Sequence, residues 1–252
     1  MNSSNANSPA VEAAILAADI VWMRGGDQWQ YVSQWGGSLA EQAIRTVYAR
    51  GGVVGGSSAG CAVLGEVIYD AMNGGVLPQE ALANPYNQFM TFTTGFLELG
   101  AGLLFDTHFT ERGRLGRLPI FVARARADLG LDLIGVEVDD RTALCVYPDR
   151  TAVVRGEGAV TLLHRSADTQ QKISPGATPF VSPLVHTQLT QGYVYDLGGR
   201  QVVSRPPNAV IPPPPGAQPA FVPLALSGSA TGDADLGERR VVDNGNASAL
   251  FH

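Results

Sequence analysis

The stretch Gly51-Gly52-Val53-Val54-Gly55-Gly56-Ser57-Ser58-Ala59-Gly60-Cys61-Ala62 decides how this chain folds. A short apolar run enters it, glycine and serine crowd its middle, and an Ala-, Val-, Leu- and Ile-rich run follows from Ala59 to Met72. That order reads as strand, sharp turn and helix. Gly56-Ser57-Ser58-Ala59-Gly60 also fits the pattern G-x-S-x-G, which lifts a serine on a strained turn. Tiny neighbours are required because backbone must approach backbone there. So short a pattern often matches by chance, and a turn that only packs or binds an anion is the rival reading. The strand before it and the helix after it favour Ser58 as a nucleophile.

Upstream, Val11 to Ala18 shows helical spacing, and Ile20 to Met23 is a buried strand stopped at Gly25-Gly26-Asp27. Ser38 to Ala49 is an amphipathic helix capped by Ser38, with Glu41 three residues on. Helix, strand, helix, strand, helix predicts an α/β fold with a parallel sheet and crossover helices. Chemistry in such sheets gathers at the carboxyl ends of the strands. Gly25-Gly26-Asp27-Gln28 and Gly55 to Gly60 both fall there. The backbone N–H groups of Gly26 and Ala59 are then placed to form an oxyanion hole.

Downstream, residues 74–94 read as an irregular insertion with a short helix at Pro78 to Ala83. Leu103 to Asp106 is a strand that runs into Thr107-His108-Phe109, and Leu115 to Leu129 is helical. Strand-like runs at Leu133–Val138, Ala143–Tyr147, Thr151–Val154 and Ala159–Leu163 make the second half β-rich. The expected organisation is one α/β domain over 1–204, a stiff Pro-rich connector over 205–219, and a loosely attached tail over 220–252 with at most an edge strand.

With 252 residues and 45% hydrophobic content, the chain can bury a substantial core. A net charge of −6 without any long Lys/Arg cluster argues against nucleic acid or an anionic membrane as partner. Cys61 and Cys145 read as buried thiols, and without CxxC or HExxH neither a metal nor another cofactor is expected. No apolar run is as long as a membrane span, and residues 1–9 lack the features of a signal peptide. As written, the chain reads as soluble and cytoplasmic.

A serine needs a base, and the histidines are His108, His164, His186 and His252. His164 and His252 lie in polar surroundings and read as solvated, while His186 alternates along a strand face. His108 alone follows an apolar strand at the sheet's carboxyl edge, between Asp106 and Arg112, Arg114 and Arg117. Those arginines read either as a solvated helix start or as a clamp for a substrate carboxylate, which guanidinium groups bind bidentately.

Gly25-Gly26-Asp27-Gln28, Gly56 to Gly60 and Asp106-Thr107-His108-Phe109-Thr110-Glu111-Arg112-Gly113-Arg114-Leu115-Gly116-Arg117-Leu118 together resemble the signatures of cyanophycinase-like S51 serine peptidases. Ile134-Gly135-Val136, Asp139 to Ala143 and Gly156 to Val160 resemble that family's second half. The resemblance implies a parallel-sheet sandwich like that of class I glutamine amidotransferases. It also implies hydrolysis of aspartyl peptides, including β-linked Asp-Arg units, with an acidic peptide as substrate and a homodimer as one option. Ser58 would be the nucleophile and His108 its base, with Gln28, Asp106, Arg112, Arg114 and Arg117 in the substrate pocket. Thr107 stands where cyanophycinases proper carry glutamine, and Ser57 where they carry threonine.

The acid that orients His108 is expected between nucleophile and base. Glu80, past the helix after Ser58, is favoured over Asp70, Glu66 and Glu98. Family members also carry strands and helices ahead of the segment matching Val11. The chain therefore reads as starting at an internal methionine of a longer protein, which would leave the sheet an unprotected edge and a secreted location open, or as a natural short form. Rival functions are a catalytically silent binding module, an α/β-hydrolase esterase and a glutamine amidotransferase. The esterase leaves the arginines unexplained, and the amidotransferase would need cysteine at position 58.

Overall fold

A computed structural model describes residues 2–209 and 248–251. Short helices α1 (Ser3–Ala6) and α2 (Pro9–Leu16) lead into β1 (Ile20–Met23), then α3 (Gln28–Trp35), α4 (Leu39–Ala49), β2 (Val53–Ser57) and α5 (Ala59–Ala62). The middle holds β3 (Val67–Tyr69), α6 (Pro78–Ala83), β4 (Phe92–Thr94), β5 (Leu103–Thr107), a 3-10 turn at Arg114–Gly116 and α7 (Leu118–Leu129). The remainder is β6 (Ile134–Val138), β7 (Thr142–Val146), β8 (Thr151–Gly156), β9 (Val160–Lys172), β10 (Phe180–Leu189), β11 (Val194–Asp196), β12 (Gln201–Ser204) and β13 (Ser248–Phe251).

The strands form two principal sheets, in the orders β1-β2-β13-β7-β8-β11-β12 and β10-β9-β6-β5, and β3 pairs with β4. Mixed α/β architecture with a β-rich second half is therefore observed. The parallel pairs are β1 with β2, β5 with β6, and β13 with β7, and the other pairings are antiparallel. The larger core draws Val54, Leu144 and Val154 from one principal sheet and Phe105, Val136 and Leu162 from the other. A second core, with Leu104, Leu118, Phe121 and Leu163, lies on the α7 side of the four-stranded sheet. This explains β5, buried along its whole length. Leu103 and Phe105 enter the first core, while Leu104 and Asp106 face α7. Among the described residues, no helix is long and apolar enough to cross a membrane.

Two expectations need correction. The apolar run after Ser58 does not continue as a helix to Met72. It makes one turn, α5, and then becomes β3. Gly65 bridges Gly100, and a Cβ on it would lie 2.8 Å from the Leu103 carbonyl oxygen, so backbone packing on β5 displaces the helix. The described part of the tail, in turn, is not an edge strand. β13 lies inside the seven-stranded sheet, antiparallel to β2 and parallel to β7. Most of the expected connector and the rest of the tail, His252 included, lie outside the described residues.

Candidate active site

Ser58 stands between β2 and α5 with φ 50° and ψ −118°, a conformation a non-glycine residue adopts only when its surroundings enforce it. Those surroundings are backbone. A Cβ on Gly56 would lie 2.3 Å from the carbonyl carbon and oxygen of Gly60, and one on Gly60 would lie 2.2 Å from the Met23 carbonyl oxygen. The two glycines thus let β2, α5 and the end of β1 interlock. Gly60→Ala is expected to destabilise the protein by about 3 kcal/mol, because no side-chain movement relieves a clash with a carbonyl. Urea denaturation measures it.

His108 also has positive φ, 57°, where the chain leaves β5. Its backbone N–H donates to Val138 O on β6 at 3.1 Å, and its ring Nε2 lies 2.8 Å from Ser58 Oγ. The ring is buried and Ser58 is half-exposed. A serine hydroxyl and an imidazole are therefore in hydrogen-bond contact across two sheets, an arrangement of the kind nucleophilic catalysis demands. The turn after β1 completes one wall. A Cβ on Gly25 would lie 3.2 Å from Ser58 Cβ, Asp27 caps α3 by accepting from Trp29 N–H at 2.9 Å, and Gln28 opens that helix. Gly26 lies in this turn, and Ala59, as first residue of α5, has no carbonyl of its own helix for its N–H to reach.

The arginines divide. Arg112 is exposed, and its backbone N–H donates to His108 O at 3.0 Å. Arg117 is buried: its Nε and Nη2 bind the two oxygens of Asp106 and its Nη1 donates to Val76 O at 3.0 Å. The guanidinium also sits 5.2 Å from the Tyr69 ring centroid and 5.4 Å from that of Phe121. Arg117 and Asp106 therefore correct the expectation of substrate-pocket residues, because each is consumed by the other inside the second core. Burial would raise the Asp106 carboxyl, but Arg117 and then Arg114 outweigh it and hold it below the usual carboxylate range. Arg114 is intermediate, with a side chain 17% exposed, Nη1 donating to Thr107 O and reaching Asp106 Oδ1 at 3.3 Å. Burial first, then repulsion by Arg117, lowers it to about 10 against the pull of Asp106.

Glu80 does not stand beside His108. It sits in the first turn of α6, where its Oε2 accepts from Leu77 N–H at 2.8 Å. Asp70 accepts from Met72 N–H and from the hydroxyls of Thr91 and Thr93, Glu66 accepts from Gly102 N–H, and Glu98 from Gly95 N–H. Each of these carboxylates fastens a local loop. Carboxylates do gather near His108, but they come after it in sequence. Asp139 and Asp140 are buried just past β6, the strand that hydrogen-bonds His108, and Glu111 Oε1 accepts from Asp140 N–H at 2.9 Å. Asp139 uses Oδ1 on Thr110 N–H and Oδ2 on Ala159 N–H. Burial first, with the charges of Asp139 and Asp140, raises the Glu111 carboxyl. The Asp139-Asp140 pair was visible in the sequence; a search confined to the segment before His108 missed it. His164, expected to be solvated, is buried, with Nδ1 2.8 Å from Arg165 O.

Residues 1–101 match the sequence model of Peptidase family S51. That part of the chain is similar to the family. A cyanophycinase from Nostoc sp. is 30% identical over 158 residues, covering 62% of this chain and 48% of that protein. A cyanophycinase from Synechococcus elongatus is 32% identical over 144 residues, covering 57% and 41%. The chain thus spans about half the length of the curated relatives it matches. Among solved structures, a peptidase from an acI-B1 Actinobacterium aligns with a TM-score of 0.53 at 19% identity, over 78% of this chain and 66% of that one. That last likeness speaks for the fold. At the level of the family, the resemblance drawn from the motifs stands.

Proposed function

We propose that this chain is a serine peptidase that hydrolyses aspartyl peptides, with an acidic peptide held against Arg112 and Arg114. The observation that carries it is the 2.8 Å contact between Ser58 Oγ and His108 Nε2 on a strained elbow. Similarity to Peptidase family S51 and to cyanophycinases supports the class of reaction. The two principal sheets are compatible with the sandwich of class I glutamine amidotransferases, which we adopt as the finer fold reading.

In this mechanism Ser58 Oγ attacks the amide carbonyl carbon as its proton passes to His108 Nε2. The oxygen that gains charge is met by the N–H groups of Ala59 and Gly26. Collapse breaks the C–N bond, and the departing amine takes the proton from His108. Water then attacks the acyl ester, giving its proton to His108, and Ser58 recovers a proton as the acid product leaves.

We assign the orienting acid to Asp140. Both oxygens of Asp139 are used by backbone donors, and one of Glu111 is used by the Asp140 N–H. Asp140 follows the strand whose last carbonyl receives the His108 N–H. Asp140→Asn is expected to lower kcat by about 10³–10⁴-fold, the effect of an imidazole held in the wrong tautomer. Asp139→Asn should act mainly on stability. Steady-state kinetics on both variants checks this, and a large kcat loss confined to Asp139→Asn would move the role to that residue.

The test of the whole reading is turnover of α- and β-aspartyl dipeptides, together with labelling of Ser58 by a fluorophosphonate. Turnover with labelling at Ser58 supports it. A chain that neither labels nor turns over such peptides would instead be a binding module that kept the pocket alone.

A further inference from the structure

Glu137 belongs to no step above, yet it lies at the heart of the arginine cluster. It is fully buried on β6, in register with Asp106 on β5 and Thr161 on β9, and Thr161 is in register with Gln188 on β10. A polar row thus crosses all four strands. Gln188 is exposed at its outer end, with Nε2 3.5 Å from Thr161 Oγ1. One row towards the amino ends of β5 and β6 the same face carries Leu104, Gly135 and Leu163, and α7 packs tightly enough that a Cβ on Gly135 would lie 2.8 Å from Leu118 and Val122. Polarity in this row is therefore specific to it.

The donors nearby ignore Glu137. Arg117 aims its N–H groups at Asp106 and Val76 O, and Arg114 aims Nη1 at Asp106 and Thr107 O. Neither oxygen of Glu137 accepts a hydrogen bond from any described residue. A fully buried carboxylate with no donor is far too costly to persist. Two carboxylates face to face cannot bond either, but one proton solves both problems. With it, Glu137 becomes a donor and Asp106, already the anion of the cluster, its acceptor.

We propose that Glu137 is a positioning residue for substrate recognition: its carboxylic O–H donates to Asp106, and by staying uncharged it leaves Arg114 with uncancelled positive charge for an acidic substrate. Arg114 and Arg117 supply two cations, and Asp106 supplies one anion. An ionised Glu137 would neutralise the group, whereas a neutral one leaves a surplus on the partly exposed arginine. The direction of its titration agrees: burial first, then the charge of Asp106, raises the Glu137 carboxyl well above its usual value against the pull of both arginines. Tyr69, on β3, faces the same cluster and is itself raised by burial, so it adds no negative charge.

The inference rests on the peptidase reading for its purpose, but its test does not use turnover. Succinate serves as the probe, since it carries carboxylates and no scissile bond. Calorimetry on the full chain at neutral pH should give the same Kd for wild type and Glu137→Gln, because the amide is also neutral and also donates to Asp106. Glu137→Leu should weaken succinate roughly tenfold, because Asp106 loses a donor and turns more fully to Arg114. An infrared difference spectrum should show a protonated carboxyl band that vanishes in Glu137→Gln. Tighter succinate binding by Glu137→Gln, absence of that band, or no succinate binding by the wild type would each overturn the proposal. Failure of Ser58 to label would sink the peptidase reading and leave the protonation of Glu137 standing.

Discussion

Ser58→Ala is expected to lower kcat for aspartyl dipeptides by about 10⁴–10⁶-fold, the range seen when a nucleophile that works with a paired base is removed. Folding should hardly change. Alanine occupies the same φ of 50° and inherits the same strain, and the loss is one half-exposed hydroxyl contact to His108 Nε2. The sharper contrast is Ser58→Gly. Glycine adopts positive φ without penalty, so this variant should be as inactive as alanine yet more stable by about 1 kcal/mol. Kinetics and urea denaturation on the two variants separate the chemistry from the strain. If Ser58→Ala kept wild-type turnover, the elbow would not be the reacting group.

Arg117→Met should cost about 3–5 kcal/mol of stability, the usual result of leaving one partner of a buried ion pair uncompensated. Asp106, 3% exposed, would keep Arg114 at 3.3 Å as its one cation beside the Thr107 N–H at 2.9 Å, and the stacking over Tyr69 and Phe121 would go as well. Asp106→Leu with Arg117→Met should recover part of the loss, because replacing both members by apolar groups removes the stranded charge. Arg112→Ala, on the exposed side of the same cluster, should leave stability within about 0.5 kcal/mol. A urea midpoint for each variant decides the matter, and a near-neutral Arg117→Met would mean that this arginine is not structural.

The elements that follow from short-range pattern were legible. β1 and α6 have the bounds that the sequence reading gave them, and α4 has the Ser38 cap. The Ser58–His108 pairing was also within reach, because both residues follow apolar strands whose carboxyl ends meet. What escaped depends on distant partners. Nothing local in the run from Val63 to Tyr69 announces that Gly65 packs on Gly100. Charge misleads in a related way. Arg117 reads as a substrate clamp or a solvated helix start because arginine seldom enters a core unpaired, and its partner, Asp106, lies on a strand eleven residues earlier. The carboxylates of Asp139 and Asp140 fell outside the expectation because their nearness to His108 arises from β5 and β6 lying side by side, which sequence order does not display.

β13 has a consequence in time rather than in space. The strand that carries the elbow has β1 on one side, close by in sequence, but on the other side it waits for Ser248 to pair with Ser57 and Leu250 with Gly55. Contacts between such distant segments form late, since a long loop must close before they contribute. During synthesis and refolding, β2 therefore spends its early life with an open, glycine-containing edge, the kind that invites pairing with another chain. Completion of the sheet around the Ser58 elbow is tied to one of the last pairings the chain can make. Agents that slow closure of that loop should lower the yield of active protein through aggregation before they alter the rate constants of the molecules that fold.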